Sequence, residues 1–183
     1  VMSLRVMGAV HLPAFTRNDI VYRPLCDWLL ENVAAYEAGG IRELFIQDQT
    51  PGPAASVKTL AYMSSLVREA RLAFPTMKLG VILEANDPAV LQIANAAGAD
   101  FVRIKVYVGA MVKAGGIVQG CAARALQERA FLDRPIEVLT DVYDRTGTPL
   151  GDLPLVTAAQ QAVKYESDGL IVTGRNTEET LGM

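Results

Sequence analysis

The 183-residue chain contains a single histidine, His11, and two cysteines, Cys26 and Cys121, far apart in sequence. That spacing excludes a cysteine metal site and matches reduced thiols in a cytoplasmic protein. No Ser–His–Asp or Cys–His signature can be picked out, and no P-loop is present. There is no basic run, and the formal net charge is −3, so the electrostatic footprint of a nucleic-acid binder is missing. No apolar run reaches the roughly 20 residues that span a bilayer, and no charged-then-apolar leader opens the chain. Low-complexity segments are absent as well.

What remains is 51% hydrophobic and 20% charged, the balance of one globular domain over residues 1–183. One pattern recurs. In "ENVAAYEAGGIRELFIQ", "LQIANAAGADFVRIKV" and "QQAVKYESDGLIVTG", a helical stretch ends in small residues and a β-branched run follows almost at once. The glycine suits a helix C-cap, which requires a left-handed backbone. Strands are expected over 4–11, 42–47, 78–84, 101–107, 136–141 and 169–174, and helices over 24–38, 55–73, 87–97, 119–131 and 155–166. Pro24, Pro88 and Pro154 stand where a first helical turn begins, with Asp87 as a cap before Pro88.

Alternating strands and helices on short connections predict a parallel sheet covered by helices. Two architectures compete, a (β/α)₈ barrel and an open doubly wound sheet. Central strands of an open sheet are apolar on both faces, whereas barrel strands turn one face to helices and the other to the lumen. Here four strands have two different faces. In "DFVRIKVYVG", Val102, Ile104, Val106 and Val108 alternate with Phe101, Arg103, Lys105 and Tyr107. Similar alternation sets Gly80, Ile82 and Glu84 against Leu79, Val81 and Leu83; Glu137, Leu139 and Asp141 against Ile136, Val138 and Val142; and Arg5, Met7 and His11 against Leu4, Val6 and Val10. The parity favours the barrel, with Arg103 and Lys105 meeting opposite charges across its lumen. Only six βα units are visible, whereas a full barrel has eight over about 250 residues. The last two are therefore expected to be missing, since "NTEETLGM" reads as a helix start with little helix after it.

In such folds the functional residues gather at the carboxyl ends of the strands. That rule selects His11, Gln47, Asp48, Glu84, Asn86, Lys105, Tyr107, Asp141 and the run Thr173, Gly174, Arg175. His11 is either structural or a proton carrier. Asp48, in the Pro/Gly loop "FIQDQTPGPAAS", is either a turn cap or a ligand contact. Glu84 and Asp141 are the carboxylates suited to a base or, if a metal binds, to its ligation; Mg²⁺ suits them, although no motif demands it. Lys105 is an anion clamp, a base, or the partner of Glu84, Glu137 or Asp141. Arg103 lies one layer deeper, where a structural role weighs more. Two long loops, "VYVGAMVKAGGIVQG" and "DVYDRTGTPLGDLP", suit a lid or a binding loop, and Gly115 with Gly116 offers a weak anion cradle.

"GAVHLPAF", "EANDPAVLQIANAAGADFVRIKVYVGAM", "GGIVQGCAARALQERAFL", "VLTDVY" and "DGLIVTGRNT" together resemble the BtpA/SgcQ family, in order and over nearly the whole chain. The resemblance implies a TIM barrel of the ribulose-phosphate-binding type, with His11, Asn86, Asp87, Arg103, Gly109, Gly120, Asp141, Thr173 and Gly174 at family-typical positions. Family members tend to read Glu-Asn-…-Gly-Asp where this chain has "QDQTPGP", and Lys-His where it has Asp144-Arg145. One branch is linked to photosystem I accumulation and another to sugar uptake. The fold's usual phosphate site follows the seventh and eighth strands. These implications leave three expectations. The first is a lyase, isomerase or hydrolase acting on a small polar, sugar-like or phosphorylated ligand, with Asp141, Glu84, Lys105 and His11 catalytic. In that reading Asp48, Asn86, Arg103, Tyr107, Thr173, Gly174 and Arg175 bind the ligand. The second is an assembly factor using the barrel as a scaffold, and the third a sugar-binding regulatory subunit. A homo-oligomer is compatible with each.

Overall fold

The structure is a computed structural model that describes residues 5–16 and 18–173. The expectations placed on Gly174, Arg175 and the helix start at 176–179 lie outside the described residues.

The chain runs β1 (Met7–His11), α1 (Tyr22–Ala38), β2 (Glu43–Gln47), α2 (Val57–Ala73), β3 (Lys78–Ile82), α3 (Val90–Ala97) and β4 (Phe101–Ile104). It continues through β5 (Ala110–Lys113), β6 (Gly116–Gln119), α4 (Ala122–Arg129), β7 (Glu137–Asp141), β8 (Thr148–Pro149), α5 (Leu155–Lys164) and β9 (Gly169–Ile171). Six strands form one all-parallel sheet in the order β1-β2-β3-β4-β7-β9, so the strands expected from the alternation occur in sequential order. Helix α2 starts on Ser56, whose hydroxyl accepts from the Thr59 N–H at 3.0 Å. Helix α3 stops at Gly98, which takes a left-handed φ of 83° and releases the chain into β4 two residues later.

The alternation has the predicted consequence for packing. Leu79, Val81, Val102, Ile104 and Val138 join the large core formed with the helices. The opposite face carries a second, separate cluster of Phe45, Ile82, Phe101 and Leu139, with Met7 and Ile171 packed against it. Each of the six strands contributes one residue to that cluster. Residues spread across a flat six-stranded sheet could not meet, so the sheet is curled with this face inward. Arg5 and Glu137 give the same result. They lie at the entrances of β1 and β7, four strand spacings or about 19 Å apart on a flat sheet. Yet Arg5 Nη2 stands 3.6 Å from Glu137 Oε2. The fold is thus α/β with a curled parallel sheet and five described helices, and its sheet ends on β1 and β9.

Gly80 makes the inward cluster possible. It pairs with Phe45 on one side and Phe101 on the other, and the two rings meet edge to face above it, 4.8 Å between centroids. A Cβ on Gly80 would stand 2.0 Å from the Phe101 ring.

Two aspartates dock strands by a shared device. Asp100, just before β4, donates its N–H to the Leu79 carbonyl on β3 and accepts from the Leu79 N–H at 2.9 Å. Arg71 of α2 grips the same carboxylate. Asp168, just before β9, repeats the arrangement with Val138 of β7 and Arg129 of α4, each at 2.8 Å.

The structure corrects several boundaries. Strand β4 ends at Ile104, not 107, because the chain bends at Lys105. The two expected loops are partly strand: β5 pairs antiparallel with both β6 and β8, forming a three-stranded flap beyond the carboxyl ends of β4 and β7. Gly115 lies in the hairpin turn between β5 and β6, and Gly116, with φ 114°, opens β6. Helix α4 begins at Ala122, since the residues before it lie in β6. Asp87 sits before the N-cap residue of α3, Ala89, and its carboxylate accepts from Ala89 N–H and from Ala55 N–H of the preceding loop.

Replacing Gly80 by Ala should overpack the inward cluster and cost about 1–3 kcal/mol in urea denaturation. The change Phe101→Leu should cost less in the Gly80→Ala background than in the wild type, because the clash partner is then gone.

Candidate functional site

Residues sharing the inward parity reach the carboxyl ends of β3, β4 and β7 as charged groups. On β4, Arg103 follows Phe101; on β7, Asp141 follows Leu139; beyond β3, Glu84 follows Ile82. These side chains pair across strands. Arg103 donates Nε to Asp141 Oδ1 at 2.7 Å and Nη2 to Oδ2 at 2.8 Å, a two-pronged contact. Lys105 Nζ donates to Glu84 Oε2. The two cations do face opposite charges, Asp141 and Glu84, but these come from the ends of the adjacent strands β7 and β3 rather than from across a lumen.

The two pairs differ in exposure. The Asp141 side chain is 1% exposed and clamped at both oxygens, whereas that of Glu84 is 29% exposed and held through one oxygen. Burial raises the Asp141 carboxyl above the ordinary carboxylate range, the Asp144 charge adding to this and Arg103 opposing it. Burial works to lower the Arg103 guanidinium, but its bonds and charge attraction to Asp141 raise it overall.

A third pair ties the flap to this row. Lys113 of β5 bridges to Asp144, the residue three beyond β7, and Asp144 N–H also contacts the Met111 sulfur at 3.3 Å. Burial alone would raise the Asp144 carboxyl; hydrogen bonds from Lys113 and the Thr146 N–H, with the Lys113 charge, outweigh it and hold it low. Sequence reading singled out Asp144 only as a departure from the family pattern and missed this role. Two short apolar runs, Met111-Val112 and Ile117-Val118, on either side of Gly115-Gly116 were the available signal for the flap.

Other expected residues are placed differently. Asp48 is fully buried, and its oxygens accept from the Thr50 N–H at 2.6 Å and the Glu84 N–H at 3.0 Å. It positions the backbone of Glu84 and does not face the mouth. Asn86 is likewise consumed by backbone: its amide donates to Val106 and Gln119 carbonyls and its oxygen accepts from Val106 N–H. Tyr107 leaves the expected face because the strand has already ended. It is 1% exposed in the helix-side core, its hydroxyl donates to the Tyr165 carbonyl, and burial has pushed it up to about 12. Thr173 donates to the Tyr143 carbonyl at 3.0 Å, bracing the loop after β7. His11 is exposed at the end of β1, its Nδ1 3.3 Å from Gln49 Nε2. Arg103 and Lys105 also border a narrow crevice that the β3 and β4 ends form with Asp87 and Val90 at the start of α3; Glu84 does not line it.

Mg²⁺ does not suit this donor set. Glu84 and Asp141 each already answer a cationic side chain, and among the described residues no three His, Cys, Asp or Glu side chains gather as a metal site. What the arrangement offers is charge-assisted hydrogen bonding from alternating cations and carboxylates.

Comparison with known proteins agrees with the fold. The family model described as "BtpA family" matches residues 2–182. An uncharacterised protein of Pyrococcus furiosus is 25% identical over 97% of this chain and 70% of its own length. The photosystem I biogenesis protein BtpA of Synechocystis is 27% identical over 92% of this chain and 62% of its own. The chain thus spans between three fifths and three quarters of these relatives. Among solved structures, an isomerase from Streptomyces coelicolor aligns with TM-score 0.54 and 11% identity, over 93% of this chain and 39% of its own; at that identity the likeness concerns fold alone.

Two outcomes follow from the ion pairs. Arg103→Met leaves Asp141 buried without its partner and should cost about 3 kcal/mol or more in urea denaturation, while adding Asp141→Leu should restore most of it. Asp144 titrates below its ordinary range, so its contribution is complete above about pH 4 and is lost as pH falls further through the folded value. The melting-temperature gap between wild type and Asp144→Asn should accordingly be largest near neutrality and close toward pH 3.

Proposed function

This chain belongs to the BtpA family, matched over residues 2–182, and from that premise we infer an enzyme built on a TIM-type barrel. Two further βα units, beyond those of this chain, would close the sheet between β9 and β1 in this reading. Its substrate is a small polar molecule, sugar-like or phosphorylated, bound where the inward faces of β3, β4 and β7 end. Glu84 serves as the base, Lys105 holds an anionic group of the substrate, and the Arg103–Asp141 pair fixes the floor beneath them. His11, exposed at the end of β1, carries protons to solvent. The buried free thiols Cys26 and Cys121 suit a reducing, cytoplasmic setting.

The observation that carries this reading is the pairing of Glu84 with Lys105 and Arg103 with Asp141 on one inward face. Buried ion pairs are poor stabilisers, because desolvation cancels most of their attraction, and apolar residues of similar size serve a core as well or better. Their concentration at the carboxyl ends, where barrel enzymes keep their chemistry, supports a functional origin.

The alternative is a scaffold for the assembly of other proteins, favoured by the name of the Synechocystis relative, a photosystem I biogenesis protein. Asp141→Asn separates the two readings poorly, since it also breaks a buried pair. Glu84→Gln is the better variant, its carboxylate being part-exposed. In the full-length protein, assayed on sugar phosphates chosen by thermal shift, it should reduce turnover about 100-fold or more while lowering the melting temperature less than Asp141→Asn does. Absence of turnover across the panel, with function in assembly intact in Glu84→Gln, would favour the scaffold.

A further inference from the structure

The two mouth pairs are unequal, and the inequality bears on how a ligand enters. Asp141 is sealed beneath Arg103, both oxygens engaged and 1% of its side chain exposed. It has neither room nor a free oxygen with which to exchange partners. Glu84 has the opposite character. Its backbone N–H is pinned by Asp48 Oδ2 at 3.0 Å, while its carboxylate reaches Lys105 through one oxygen and is 29% exposed. The fixed point is the main chain; the acidic head can swing toward solvent without disturbing the fold. Lys105 is in turn only 10% exposed, so its ammonium cannot follow. An ammonium has three donors, and losing its one anionic partner at such a site is costly unless another anion arrives.

Arg103 lies two residues before Lys105, with the same inward parity. Its Nε and Nη2 serve Asp141, which leaves Nη1 as the unused end of the guanidinium among the described residues. Lys105 and Arg103 thus stand two residues apart at one end of the sheet, the first with an exchangeable partner and the second with a permanent one.

We propose that the Glu84–Lys105 pair is an exchangeable latch: a compact oxyanion, a phosphate monoester or a carboxylate, takes the place of Glu84 on Lys105 and turns its carboxylate out beside the bound ligand. The inference rests on the enzyme reading above for its purpose, and it supplies the substrate class and order of events. The carboxylate is released only where an anion has already bound, so the base is uncovered in the occupied site and covered in the empty one. This anion subsite lies at β3 and β4, away from the position after the seventh and eighth strands where the fold's usual phosphate site falls.

Exchange predicts an unusual sign. Glu84 competes with the ligand for one ammonium, so neutralising it strengthens binding, whereas loss of an ordinary ligand contact weakens it. The test is titration of the full-length protein with inorganic phosphate and, separately, acetate at fixed ionic strength, followed by calorimetry. Glu84→Gln should bind one or both about tenfold or more tightly than wild type, and Lys105→Met should abolish that binding. The stronger of the two arms identifies the phosphate or carboxylate source. Equal or weaker binding in Glu84→Gln overturns the latch, as does failure of either anion to bind either protein. Loss of turnover in Glu84→Gln without tighter anion binding would leave the enzyme reading standing and remove only this one.

Discussion

Every strand of this sheet must satisfy two environments at once, and β4 shows the constraint in its strongest form. Its Val102 and Ile104 join the helix-side core, while Phe101 and Arg103 turn into the curl of the sheet. A charge on the inward face is tolerated only with a partner in reach, and the partners come from the neighbouring strands: Asp141 from β7 for Arg103, Glu84 from beyond β3 for Lys105. Charge complementarity thus ties β3, β4 and β7 together at the same end where the inward hydrophobic cluster stops. The curvature, the floor of the mouth and the candidate chemistry all derive from this one requirement.

Much of the architecture was legible because parity is a local property. A residue's face follows from its position in the strand, so the inward placement of Ile82, Phe101, Arg103, Leu139 and Asp141 could be read by counting in twos. The same counting failed at Tyr107, because it presumes a strand that in fact ends at Ile104. No pattern in side-chain polarity marks that bend. Asp48 takes the turn-capping alternative that the sequence left open, and Asn86 spends its amide on backbone. Short polar side chains bond to nearby backbone as readily as to a ligand, and which backbone comes near is decided by the loops after other strands. The flap is a non-local product too: β8 joins β5 only because the chain ends of β4 and β7 lie side by side.

The family relationship and the structural likeness bear on the frame, and not on the side chains of the mouth. Asp144 holds Lys113 and so anchors the flap to the row of charges. A basic residue there could not form that bridge. The flap and the mouth are in this sense matched to each other.

The paired docking of Asp100 and Asp168 has a bearing on how the molecule comes into being. Each aspartate stands at the entrance of its own strand and reaches backward, to a strand and an arginine that precede it in the chain. Nothing still to be synthesised is needed for either grip. A ribosome releasing the chain from its amino end would let each new strand lock onto a finished neighbour as it emerged, so the sheet can grow by accretion in the order of translation.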